Sequence, residues 1–128
     1  MSKTIRVDEL AQSVAEELES YRQDVTDGVK NAVKAAADQC RDEIRQNSPR
    51  KEGKYRRGWR VKTDFENAED IRITVHNNTS YQLTHLLENG HAKRGGGRVA
   101  GKPHIRPAEQ NAEKKLLHKV KVVVKGDG

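Results

Sequence analysis

The sequence predicts an α+β chain: a long N-terminal helix packed on a small antiparallel β-hairpin, then a short helix, a basic glycine-rich loop and a C-terminal helix. Three observations carry this. Apolar residues recur at three- and four-residue steps through the first third. They then alternate with polar residues over two short runs, and a last helical stripe follows a proline. At 128 residues the chain reads as a single domain, residues 1–128.

The first helix is placed at residues 8–47, where Leu10, Val14, Leu18, Tyr21, Val25, Val29, Val33, Ala36, Cys40 and Ile44 form one stripe. Asp8 is the candidate N-cap. Ser48 and Pro49 supply the stop, because proline disfavours helical backbone in the residue before it. Such a helix reaches ~60 Å, longer than a domain of this size is wide. Gly28 costs roughly 1 kcal/mol relative to alanine there. The stretch therefore either breaks near Thr26, Asp27 and Gly28 or projects as one arm with a weak point.

Residues 49–57, PRKEGKYRR, read as a basic connector into a β-hairpin at residues 58–76. Trp59, Val61, Thr63 and Phe65 fall on one side, with Arg60, Lys62 and Asp64 on the other. After the polar stretch ENAED, Ile71, Ile73 and Val75 alternate with Arg72 and Thr74. Trp59, Phe65 and Ile73 are the predicted core anchors of the inner face, and the helix stripe is its cover.

A short helix at residues 80–89 carries Leu83, Leu86 and Leu87 and stops at Gly90; the basic loop spans residues 91–103. Pro107 suits the first turn of a helix at residues 107–121, with Ala108, Ala112, Leu116 and Val120 inward. The tail KVKVVVKGDG alternates, so residues 120–128 fit a strand as well as a helix.

Composition makes the core thin. Val, Leu, Ile and Phe together number 25 of 128 residues, and the aromatic residues are only Tyr21, Tyr55, Trp59, Phe65 and Tyr81. Such a protein draws stability from neighbours. Charge is split: residues 1–48 hold 7 Lys/Arg against 10 Asp/Glu, a net of −3, and residues 49–128 hold 18 against 9, a net of +9. This favours docking on a charge-complementary surface, another copy of the chain included. Cys40 is the sole cysteine, so no internal disulfide is possible and it reads as a small apolar helix residue. The longest aliphatic run is Val122–Val124 and nothing resembles a signal peptide, which points to a soluble chain made in a cytoplasm, with no membrane partner.

Gly96, Gly101 and Lys102 match the spacing of a phosphate-binding loop, G-x-x-x-x-G-K. The match fails chemically. No apolar strand precedes it, and Pro103 stands where a Ser or Thr would hold magnesium, offering neither hydroxyl nor N–H. Among His76, His85, His91, His104 and His118, only His85 and Glu88 share a helical face, half of a metal site with no second half. Solvated or capping roles are the default for the histidines. Ser48, Ser80 and Cys40 lack a nucleophile's strand–turn context, and the carboxylate pairs Glu16–Glu17 and Asp42–Glu43 read as solvated. No catalytic constellation, metal site or cofactor is implied. Positive charge remains: residues 50–62 hold seven Lys/Arg and one acid, and residues 91–106 hold Lys93, Arg94, Arg98, Lys102 and Arg106 with no acid. These basic residues are candidates for contact with an acidic protein surface or with DNA phosphates.

Three segments in order resemble one family. SPRKEGKYRRGW follows the long helix, YQLTHLLENGH follows the hairpin, and GKPHIRPAEQ leads into the last helix. They are similar to the S-P-x-x-x-G-x-L/Y-R, Y-x-x-x-x-E-x-G and P-F-x-R-P-A stretches of the tail-completion or head–tail joining (neck) proteins of long-tailed bacteriophages. The resemblance covers roughly residues 48–117. Asn89 and His91 flank Gly90 where the family often has an aromatic and a Thr or Ser, and His104 replaces its usual phenylalanine. The resemblance implies a small non-enzymatic virion subunit at the head–tail junction, assembled in the host cytoplasm. It further implies a self-assembled ring, with a hexamer as candidate stoichiometry, that meets connector or adaptor proteins and tail terminator or tail tube proteins, with non-specific DNA contact open. Pro49, Gly53, Tyr55, Tyr81, Glu88, Gly90, Pro103 and Pro107 are its motif positions. By the same carry-over Gly53 and Gly90 are backbone turns, and Pro103, Arg106 and Pro107 position the last helix. The rival reading is a small basic DNA-binding module.

Overall fold

The computed structural model describes residues 7–49 and 53–126. The side chains of Asp8 and Leu10, residues 50–52 of the basic connector and residues 127–128 lie outside the described residues. The architecture is α+β. Helix α1, Val7–Asn47, runs unbroken for 41 residues straight through Gly28. Gly28 is tolerated because another helix needs the space: a Cβ there would lie 2.6 Å from Val123 Cγ1. That partner is α4, Arg106–Lys125.

Helix α4 lies antiparallel on α1. Its start meets the end of α1, where Asn111 donates to Glu43 at 2.9 Å, and its end meets Tyr21, whose hydroxyl donates to the Val124 carbonyl at 2.9 Å. Buried Ala32, Ala36 and Ala108 keep the seam narrow. The alternating tail is thus helical, not a strand. Val120 and Val123, three apart, turn inward, and Gly126 at φ 77 caps the helix by donating to the Val122 and Val123 carbonyls.

The helix stripe is buried over only part of its length. Ile44 is 2% exposed, but Val14, Leu18 and Tyr21 are 48, 63 and 54% exposed. Helix α4 ends beside Tyr21, so the preceding turns of α1 project as an arm.

Part of the connector is helical: α2, Gly53–Arg57, which buries Tyr55. Gly53 therefore opens a helix and is not a turn position. Strands β1, Trp59–Glu66, and β2, Ile71–Asn77, form an antiparallel hairpin against α1. Trp59, Val61 and Thr63 pair with Asn77, Val75 and Ile73, and then a bulge between Thr63 and Phe65 shifts the register. One extra residue reverses the faces downstream. Phe65 pairs with Arg72 on the outer face, 43% exposed, with the Arg72 guanidinium 5.7 Å from its ring. Glu66 comes inward in its place, 2.7 Å from Lys30 and 3.3 Å from Lys34 on α1. Phe65 is not a core anchor, Ile73 is half-buried, and Trp59 is buried at 3% exposure.

A 3-10 turn, Tyr81–Leu83, and helix α3, Thr84–Asn89, replace the single short helix. Only Leu87 of its leucines packs on the core; Leu83 and Leu86 are exposed. The basic loop is a second hairpin, β3, Gly90–Ala92, paired with β4, Arg98–Ala100. Its turn closes through Lys93 N–H to the Gly97 carbonyl at 3.0 Å, with Gly96 and Gly97 at φ 101 and 80. Those two glycines supply left-handed backbone, which explains the glycine-rich run without a phosphate. The compact core is Ile44, Tyr55, Trp59 and Ala108, flanked by Cys40, Val75, Leu87 and Ile105.

Candidate functional site

The polar centre of the molecule sits where α2, α3 and the start of α4 converge. Helix α4 has no side-chain cap of its own at Ile105. Its first N–H groups are met from another element: Glu88, near the end of α3, accepts from the backbone of His104 at 2.7 Å, Ile105 at 2.9 Å and Arg106 at 2.9 Å. A carboxylate at a helix N-terminus satisfies orphan donors and meets the positive end of the dipole. Burial opposes ionisation of Glu88, but the three N–H groups and His104 outweigh it and hold the carboxyl below its usual range.

His104 is wholly buried. Its Nδ1 lies 2.7 Å from the Lys102 carbonyl, an acceptor only, so Nδ1 carries the hydrogen and Nε2 accepts from the Tyr55 hydroxyl at 2.6 Å. Glu88 Oε1 stands 3.1 Å from the same Nδ1. Tyr55 and Trp59 meet the imidazole edge-on at centroid distances of 5.5 and 6.4 Å. The histidine thus fills an aromatic position and adds two hydrogen bonds. Burial, then the Glu88 charge, pushes the Tyr55 phenol up to about 12, although the Trp59 indole N–H opposes this. That N–H makes no well-formed hydrogen bond.

Two further buried polar groups tie neighbouring turns. Ser48 Oγ donates to the Ile44 carbonyl at 2.6 Å, ending α1. Asn77 donates to the Tyr55 carbonyl at 2.7 Å and accepts from the Thr79 and Ser80 N–H groups at 3.1 and 2.8 Å. Ser48 is the helix stop that the sequence marks, whereas nothing in the sequence marks His104 and Asn77 together as binding elements. The one usable signal for Asn77 was the polar run NNTS after a strand.

The residues singled out from sequence separate into distinct places. Glu88 and Tyr55 enter the buried knot. Arg106 gives it only a backbone N–H, and Lys102 a carbonyl, while its N–H donates to the Leu87 carbonyl at 2.8 Å. Lys93 and Arg94 sit at the exposed hairpin turn, and Arg98 reaches back to the Asn89 carbonyl at 2.9 Å. Pro49 is half-buried after α1, Pro103 is exposed, and Pro107 occupies the first turn of α4. Tyr81 is 68% exposed. Gly90, at φ 79, is required: a Cβ would strike the Val99 carbonyl. His85 is exposed, and the oxygens of Glu88 accept from the backbone at the start of α4.

A second basic grouping comes from other elements. Arg45, Arg56, Arg57 and Arg60 line a small cleft of about 330 Å³. Arg45 donates to the Trp59 carbonyl at 2.5 Å and Arg56 to the Gln46 carbonyl at 3.0 Å. None of the four makes an ion pair among the described residues.

A polar knot that fastens elements, a projecting helix and cations turned to solvent define a subunit built to be held by its surfaces. The comparison with known families gives that class a particular place. Residues 12–90 match the family model described as "Bacteriophage HK97-gp10, putative tail-component", and the chain belongs to that family. No curated protein and no solved structure matches it. The protein is a structural phage tail component, a virion protein that works against other virion proteins. The matched span runs from α1 to Gly90, so α4 and its cap lie beyond it. No helix among the described residues is long and apolar enough to cross a membrane.

Proposed function

We propose that this chain is a ring-forming subunit of the head–tail junction, joining the connector side of a phage particle to its tail and acting without catalysis. The observation that carries this reading is the projecting arm of α1, which leaves Leu18 63% exposed on a chain whose two parts bear opposite charge. A thin-cored subunit of this kind is completed by neighbours, and patches at different places on one molecule close into a ring through a heterologous interface. Family membership supports the tail assignment.

The basic side chains Lys93, Arg94, Arg98, Lys102 and Arg106 then contact acidic surfaces of connector or tail proteins, and any contact with passing DNA is non-specific. The test is assembly of particles from a phage lacking this chain. Filled heads and finished tails accumulate unjoined, and adding the purified protein joins them. Normal joining without it removes the reading. Tight, salt-dependent DNA binding by an isolated monomer that never enters particles replaces it with the DNA-binding module.

A further inference from the structure

We infer that the α1 arm of one copy docks along the second half of α4 on another copy, acid against base. The two surfaces are complementary in charge. Residues 9–21 contain four glutamates and no Lys or Arg, whereas residues 114–125 contain five lysines and no Asp or Glu. Among the described residues none of those lysines makes an ion pair, and on the arm only Glu19 does, with Arg22.

They are also complementary in shape. Val14 and Leu18 are spaced to share one helical face, exposed at 48 and 63%, and Tyr21 ends that face with its hydroxyl held by the Val124 carbonyl of its own α4. Beside α4 runs a groove of about 880 Å³, floored by Ala32, Ala36 and Val123 and rimmed by Lys115 and Lys119. Small residues on a helix pair leave room for the larger side chains of a third helix. Leu117 and Val124 add apolar surface on α4 at 57 and 48% exposure.

One molecule cannot make this contact with itself. The arm and the groove's α1 wall are consecutive stretches of a single unbroken helix. The occupant is therefore a second copy. Desolvating the apolar face supplies affinity, and the charges fix which surface meets which.

The inference rests on the self-assembly in the proposed function but not on ring closure. Its test is a charge swap read by sedimentation at several concentrations and salt levels. One variant carries Glu17→Lys, which borders the Val14–Leu18 face of the arm, the other Lys115→Glu and Lys119→Glu. The parent chain self-associates. Each variant alone associates at least 10-fold more weakly while keeping the helical content of the parent, and an equimolar mixture of the two regains association. A monomeric parent at every concentration overturns the inference, as does unchanged association in both variants. Loss of DNA retention by the lysine variant, with self-association intact, would instead assign α4 to nucleic acid. Rescue that stops at a closed dimer upholds the contact and removes the ring, so the two readings fail separately.

Discussion

The two hairpins share a backbone plan and differ in what holds them. β1–β2 pairs strands of eight and seven residues and lays one face on α1, with Trp59 3% exposed at its root. β3–β4 pairs strands of three, and of these only Gly90 is even half-buried. An isolated two-stranded hairpin is marginal in water. The second one is held at its base, where Gly90 packs against the Val99 carbonyl, Arg98 reaches the Asn89 carbonyl and the Lys102 N–H meets the Leu87 carbonyl. The first hairpin contributes to the stability of the domain; the second is anchored by it. Surface for partners belongs on the element whose side chains the fold does not use.

The largest test of this contrast is Trp59→Ala. It removes an indole packed among Ile44, Tyr55, Ala108 and His104. The cost is about 3–5 kcal/mol, a large share of the margin of a domain stable by ~5–15 kcal/mol. Chemical denaturation should show a large drop in midpoint or a chain that no longer folds. An unshifted midpoint would mean that burial on α1 is not what holds the first hairpin.

Next in size is Glu88→Gln, aimed at the join between the second hairpin and α4. Glutamine keeps one acceptor oxygen but loses the charge at the α4 N-terminus, which costs about 1–3 kcal/mol. The folded-state carboxyl lies below its ordinary value of 4.5. Its stabilisation is therefore complete above that value and is lost as pH falls through the lower, folded one. Glu66, lowered by its hydrogen bonds to Lys30 and Lys34, acts with the same sign. The acid limb of stability against pH should flatten in Glu88→Gln without disappearing. A parallel limb in parent and variant would show that Glu88 is not the linked group.

What was legible in the sequence followed from period and what was not followed from single insertions and distant partners. The long helix, the first hairpin and the last helix all announce themselves by repeating apolar positions. Phe65 misleads because the bulge at Thr63–Phe65 breaks a period that the residues alone carry past it. The far end of the helix stripe misleads in another way: Val14 and Leu18 have the right spacing, but α4 ends before it reaches them. Helix α2 is too short for periodicity to declare. The knot was half visible. Glu88 stood out by motif, yet its partner His104 is 16 residues away, and no local rule joins a carboxylate to the start of a helix across a hairpin.

The smallest expected effect is the most informative about the second hairpin. Lys93→Ala with Arg94→Ala alters two exposed side chains at its turn, where the backbone contacts of Lys93 with Gly96 and Gly97 survive the change. Neither side chain makes a hydrogen bond or ion pair among the described residues. Surface substitutions of this kind stay within about 0.5 kcal/mol, so the unfolding midpoint should not move. Particle assembly, by contrast, should weaken at low salt, and the deficit against the parent should shrink as salt rises, because screening removes from the parent the same charge contacts that the variant lacks. Arg98→Ala serves as the internal control, since it also removes the bond to Asn89 and should show a small stability loss beside the same assembly defect. If both variants assemble as the parent does, the basic tip is ordinary solvated surface, and the contacts of this subunit lie on its helices alone.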